Sequence, residues 1–254
     1  MNRTRVEWCD WSWNPLTGCL HGCEYCYARE IAHRFGGHIE LYDPGTHVAE
    51  AGEKPYPFGF GPTFYPGRLN EPAKVKGPGM IFVCSMGDLF GDWVPTEWIR
   101  RVFEAMEMAP RHRYVVLTKN PARALRVAPD LIRGVGGDRT YIGTSITGIM
   151  SDDEVERLHA LFGLSERGVR TVLSLEPYTS RMPMGYLWPR LGWLIIGGLT
   201  GRKQFAPPWQ WVRPLVEWAR GMGVPVFIKD NCHYPLVVRE WPKGMEFGVR
   251  EVEL

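Results

Sequence analysis

Met80-Ile81-Phe82-Val83-Cys84-Ser85, a helical stretch over 96–108 and then Arg113-Tyr114-Val115-Val116-Leu117-Thr118 form one strand–helix–strand unit. Both outer runs are short, apolar and rich in β-branched residues, the pattern of strands buried on both faces. Between them Ile99, Val102, Phe103 and Met106 recur at helical spacing, and Thr96, after Pro95, is the expected N-cap. Parallel strands cannot be joined by a tight hairpin and need such a crossover helix. Working outward, similar runs follow at 140–145, 171–175, 193–196 and 224–228. Ser151-Asp152-Asp153-Glu154 opens another helix with carboxylates at its positive end, and Trp211, Leu215, Trp218 and Ala219 mark one face of a third. With one more strand ahead of residue 18, the chain reads as α/β: a partial or nearly closed (β/α) TIM-type barrel of about six or seven parallel strands. Residues 1–254 are expected to form one domain, interrupted at 36–79 by a Gly-, Pro- and aromatic-rich insertion of the kind used for lids and binding loops.

Composition narrows the classes. The chain has 254 residues, 44% hydrophobic and 23% charged, enough for a large core. A formal net charge of +2 argues against a binder that relies on overall electrostatic attraction to nucleic acid, though not against a local basic patch. No run is long enough to span a bilayer and no apolar signal segment opens the chain, so a cytoplasmic protein with no membrane partner is expected. Six cysteines in such a chain point to metal or redox chemistry before disulfides.

Three of those cysteines lie together in Gly18-Cys19-Leu20-His21-Gly22-Cys23-Glu24-Tyr25-Cys26-Tyr27, a C-x3-C-x2-C cluster. A structural zinc site closes its shell with four protein ligands; here the fourth would have to be His21, Cys9 or a distant residue. A [4Fe-4S] cluster held by Cys19, Cys23 and Cys26 alone leaves one iron open for an exogenous ligand.

In a parallel barrel, chemistry gathers at the C-terminal strand ends. There the sequence places Ser85-Met86-Gly87-Asp88, Lys119, Ser145, Glu176-Pro177, Gly197-Gly198 and the polar run Lys229-Asp230-Asn231-Cys232-His233. Lys119 suits a carboxylate, Ser145 a ribose hydroxyl, and the two glycines a close approach of ligand to backbone. Glu176 is either paired inside the mouth or held for a ligand. Cys232, expected to face the mouth, is a candidate hydrogen-atom donor, with Lys229 and Asp230 beside it as candidate catalytic groups.

The cysteine spacing, with an aromatic before the third cysteine, resembles the radical S-adenosylmethionine (SAM) superfamily. A wider set is similar to a phage-associated, uncharacterised radical-SAM-like family. It comprises Glu7-Trp8, Trp13-Asn14-Pro15, Thr17-Gly18-Cys19, Ser85 through Phe90, Leu117-Thr118-Lys119, Leu175-Glu176-Pro177, Gly197-Gly198 and Phe227-Ile228-Lys229. Many members of that family carry six residues between the first two cysteines, where this chain has three. A lysine and then a serine after the third and fourth strands, Lys119 and Ser145, more weakly resemble the spore photoproduct lyases, radical SAM enzymes acting on DNA. The resemblance implies a radical SAM enzyme that binds a [4Fe-4S] cluster through the three cysteines. It also implies SAM contacts from Ser85, Met86, Gly87, Asp88, Lys119, Ser145, Glu176, Gly197 and Gly198. An electron donor such as flavodoxin or ferredoxin would reduce the cluster. The substrate is open, with nucleic acid the first candidate on the aromatic residues and the loops of Arg68, Arg202 and Lys203. The alternative is a noncatalytic iron–sulfur or zinc-stabilised accessory protein of phage or host defence.

Overall fold

The computed structural model describes residues 1–36, 45–50, 55–135, 137–201, 203–235 and 237–245. Eleven strands are present among them: β1 Asn2–Arg3, β2 Trp11–Trp13, β3 Leu16–Thr17, β4 His47–Val48, β5 Thr63–Phe64, β6 Met80–Val83, β7 Arg113–Leu117, β8 Thr140–Ile146, β9 Arg170–Leu175, β10 Trp193–Ile196 and β11 Val226–Ile228. The helices are α1 Tyr27–Gly36, α2 Glu71–Lys74, α3 Thr96–Glu107, α4 Pro121–Val135, α5 Asp152–Glu166 and α6 Trp209–Met222.

Eight strands form one sheet in the order β1-β2-β6-β7-β8-β9-β10-β11. Only the β1–β2 pair is antiparallel; β2 and β6 through β11 run parallel, with α3, α4, α5 and α6 supplying four of the crossovers. The seven parallel strands match the number expected, but the sheet is not closed: β1 and β11 are its edges. The β11 edge is instead covered by the chain that follows. Ile228 donates its N–H to Val238 O (2.8 Å) and Glu240 donates to Val226 O (2.8 Å), satisfying backbone groups that an edge strand otherwise leaves free.

Strand alternation divides the core in two. Ile81, Val83, Tyr114, Val116, Leu194 and Ile196 face the helices, whereas Met80, Phe82, Val115, Trp193, Ile195 and Phe227 build a second cluster on the opposite face. Among the described residues no helix contributes to that second cluster. Trp8 and Cys9 from the N-terminal segment and Trp241 and Met245 from the C-terminal one fill it. The Trp8 ring lies 4.9 Å from Phe82 and 5.8 Å from Trp193, and the Trp241 indole N–H donates to Trp8 O at 3.2 Å. Two terminal segments thus do the packing that further strands do in a closed barrel.

One local expectation is corrected. The N-cap of α3 is Pro95, not Thr96, which lies in the first turn with its hydroxyl 3.5 Å from an Arg123 Nη2. The region 36–79 contains regular pairing: β5 joins β3 antiparallel and β4 parallel in a three-stranded sheet, and α2 follows. Residues 37–44 and 51–54 of the expected insertion lie outside the described residues. The helix expected to open at 151–154 is α5, with Ser151 as its N-cap, accepting the Glu154 N–H at 3.3 Å. Among the described residues no helix is long and apolar enough to cross a membrane.

Candidate cofactor site

The cysteine loop leaves β3 at Gly18 and ends where α1 begins. Gly18 donates its N–H to Met86 O (2.8 Å) and bridges Gly87 in parallel, so the loop is joined to the turn after β6. Its φ of +85° and its contact with Gly61 both demand glycine: an added Cβ would sit 2.2 Å from Gly61 O. Gly18→Ala is expected to lower stability by at least ~2 kcal/mol, from the left-handed backbone and the clash together. Urea unfolding checks this; an unchanged midpoint would mean that the loop is not held against residue 61.

Cys19, Cys23 and Cys26 are all half-buried and line one cavity of about 580 Å³. At the start of α1 the Arg29 N–H points at Cys26 Sγ, 3.4 Å away. Burial pushes the Cys19 thiol up to about 12, and neighbouring Asp88, Cys23 and Cys26 push in the same direction. Ionising Cys19 in that setting is costly without a neighbouring cation, which a bound metal would supply. Among the described residues no three His, Cys, Asp or Glu side chains converge as a single metal ion requires. The donor set fits an iron–sulfur cluster, in which each thiolate meets its own iron.

The strand ends complete the cavity wall. Ser85, Gly87 and Asp88 after β6, Lys119 after β7, Ser145 in β8, Glu176 after β9, Gly198 after β10 and Lys229 after β11 all line it. Lys119 Nζ donates to Tyr25 Oη at 2.8 Å and stands 5.1 Å from the centre of that ring. Lys229 Nζ is paired with a Glu176 carboxylate oxygen. Gly197 stands behind this pair, where a Cβ would come within 3.0 Å of Lys229 Cδ and 3.1 Å of Glu176 Cδ.

Four predicted site residues are placed elsewhere. Met86 is buried and holds the turn through its backbone, donating to Asn14 Oδ1 (2.9 Å) and accepting from Gly18. Gly197 is screened from the cavity as just described. Asp230 faces outward, paired with Arg239, and its N–H donates to Glu7 Oε2 (2.9 Å). Cys232 is 1% exposed, packed in the helix-side core with its thiol 3.7 Å from Ile196 O. The cause is a single 3₁₀ turn over Asp230–Cys232, closed by the Cys232 N–H on Lys229 O (3.1 Å), which turns the thiol back into the core. Burial, then the charge of Glu176, raises that thiol to about 12. The placement corrects the expectation that Cys232 faces the mouth.

Asp88 lines the cavity but its carboxylate is fully engaged. Oδ1 accepts Thr118 Oγ1 (2.6 Å) and Phe90 N (3.0 Å); Oδ2 accepts His21 Nε2 (2.8 Å) and Lys119 N (2.8 Å). Burial works to raise this carboxyl; the hydrogen bond and charge of His21, then Thr118 and Lys119, outweigh it and hold it below its usual range. It has no acceptor site left for a ligand's amino group.

The structure also brings forward residues that the strand-end reading passed over. Asn14, just past β2, accepts from Ser85 Oγ (3.2 Å) as well as from Met86; treating β2 as a barrel strand with its own functional end would have found it. Tyr27 lines the cavity and donates to Ser85 O at 2.6 Å. Glu7 also lines the cavity, and burial raises its carboxyl against the hydrogen bond from the Asp230 N–H; the Asp230 charge adds to the rise, and Lys229 and Arg239 oppose it. Glu7-Trp8 belongs to the set that carries the family resemblance, but no strand end marks Glu7 as a site residue.

A family model described as "Protein of unknown function (DUF5131)" matches residues 3–244. No curated protein matches the chain. Solved structures of spore photoproduct lyase resemble it. The complex with dinucleoside spore photoproduct is 15% identical, with 89% of this chain and 57% of that one covered and a TM-score of 0.48. A cysteine-to-serine mutant gives 16%, 77%, 57% and 0.47, and a double mutant with bound AdoMet and dinucleoside spore photoproduct gives 15%, 84%, 53% and 0.41. The chain spans about half the length of the solved chains it matches.

Proposed function

The chain belongs to the DUF5131 family, and from that premise we propose that it is a radical SAM enzyme. Cys19, Cys23 and Cys26 would hold a [4Fe-4S] cluster, leaving one iron for the amino and carboxylate groups of SAM. Once reduced by an external one-electron donor, the cluster would supply the electron that breaks a C–S bond of the SAM sulfonium, releasing methionine and the hydrogen-abstracting deoxyadenosyl group. The observation that carries this reading is the sharing of one cavity by three thiols from a single loop and polar side chains from consecutive parallel strand ends.

The remaining roles belong to the protein's own groups. Lys119 offers a compact positive charge to a carboxylate, and Ser145 a hydroxyl to the ribose. The Glu176–Lys229 pair sets a fixed dipole in the wall, and Gly198 lets a ligand approach the backbone. Trp8, Phe60, Phe82 and Leu117 supply apolar surface that excludes water around reactive chemistry. Asp88, Met86, Asp230 and Cys232 have no place in ligand contact on this reading. Nucleic acid is the substrate class to test first, because Arg29 stands 5.5 Å over Phe60 and Arg68 3.6 Å over Tyr65 close to the loop. Arg202 lies outside the described residues.

The reading is tested by adding SAM to anaerobically reconstituted protein and recording the electron paramagnetic resonance of the reduced cluster. A signal that changes on SAM addition supports it. A signal indifferent to SAM leaves an iron–sulfur protein without the proposed open iron, and the proposal fails.

A further inference from the structure

We infer that His21 and Asp88 are a positioning pair that ties the cysteine loop to the end of β7, so that the thiols and Lys119 are held as one unit. The four donors on Asp88 come from three separate parts of the chain: His21 from the loop, Phe90 from the segment after β6, and Thr118 with the Lys119 N–H from the end of β7. The carboxylate is only 5% exposed, and buried hydrogen bonds to a charged group are the strong ones. His21 is fixed from a second side by the Trp93 ring, edge-on at 4.9 Å. Thr118 extends the network, its Oγ1 accepting the Asn120 N–H at 2.9 Å. His21 lies between Cys19 and Cys23, so pinning its ring restrains the stretch of backbone that carries those two thiols. Its Nε2 is committed to Asp88, and the metal analysis below separates this positioning role from that of a ligand through Nδ1.

The bracing is a property of the protein alone; its consequence for the cofactor rests on the function proposed above, and the test separates the two. Hydrogen exchange is followed first on the full, metal-free chain. Asp88→Asn places an amide where two N–H or O–H donors converge, and exchange at the Lys119 amide and at the 19–23 amides should rise together, by about tenfold or more. His21→Ala should release the loop and His21→Gln, which keeps a donor, should restore it. If Asp88→Asn does not fold, the two His21 variants carry the same comparison. Loop amides unchanged in His21→Ala and Asp88→Asn would overturn the pair.

The same variants are then reconstituted with iron and sulfide. His21→Ala should keep its iron but shift the resonance of the reduced cluster, with His21→Gln returning it toward the unsubstituted signal. Complete loss of iron in His21→Ala with unchanged exchange would make His21 a ligand and overturn the positioning role. A parent protein that takes up no iron would end the proposed function while leaving the exchange result to decide the pair.

Discussion

Cys26→Ala is expected to abolish iron binding, taking anaerobically reconstituted protein from about four irons per chain to none. In the proposed site each thiolate would anchor a different iron, and Cys26 would be the anchor at the entry to α1, where the Arg29 N–H meets its sulfur. Removing it leaves two thiols on a loop and no third point to fix a cube. The fold should survive, because the side chain is half-buried at the cavity wall and outside both apolar clusters. Iron and sulfide analysis with circular dichroism checks both halves. Full iron retention in the folded variant would remove Cys26 from the ligand set.

The second large effect is expected at Lys119. Truncating a charged donor that meets a ligand carboxylate costs about 1.5–3 kcal/mol, so Lys119→Ala should weaken SAM binding roughly 10- to 100-fold. Iron content should not change, since the contact that Lys119 makes with the loop is through Tyr25 Oη and not through a thiol. The Lys119 N–H on Asp88 is a backbone group and persists in the variant. Calorimetric titration with SAM checks this. An affinity equal to that of the unsubstituted protein would place the carboxylate of SAM elsewhere in the cavity.

The parallel sheet was legible because each strand is a short apolar run whose alternate residues serve two cores, as Ile81 and Val83 against Phe82 illustrate. An open sheet lies within the expectation of a partial barrel, but which segments cover its free face was not legible, because nothing local distinguishes a segment that pairs as a strand from one that only packs, as Trp8 and Trp241 do. At the site, the cysteine loop was legible from spacing alone, and the strand-end rule brought Lys119, Ser145, Glu176 and Lys229 to one cavity. That rule failed at Cys232, where one 3₁₀ turn reverses the side chain, and it misread Asp88, whose partners span residues 21 to 119 and follow from tertiary structure only. Gly197 was drawn to the cavity by the same reasoning but serves to make room for the Glu176–Lys229 pair. Asn14 and Glu7 were missed for opposite reasons: one sits at a strand end that was not treated as functional, the other on a segment that is not a strand.

The proposed chemistry is tested most directly by the product of SAM cleavage. Protein reconstituted anaerobically with iron and sulfide, reduced with dithionite and given SAM should release 5′-deoxyadenosine, and the Cys26→Ala protein treated identically should release none. Stoichiometric zinc in place of iron, or 5′-deoxyadenosine no higher than in the Cys26→Ala control, would contradict it.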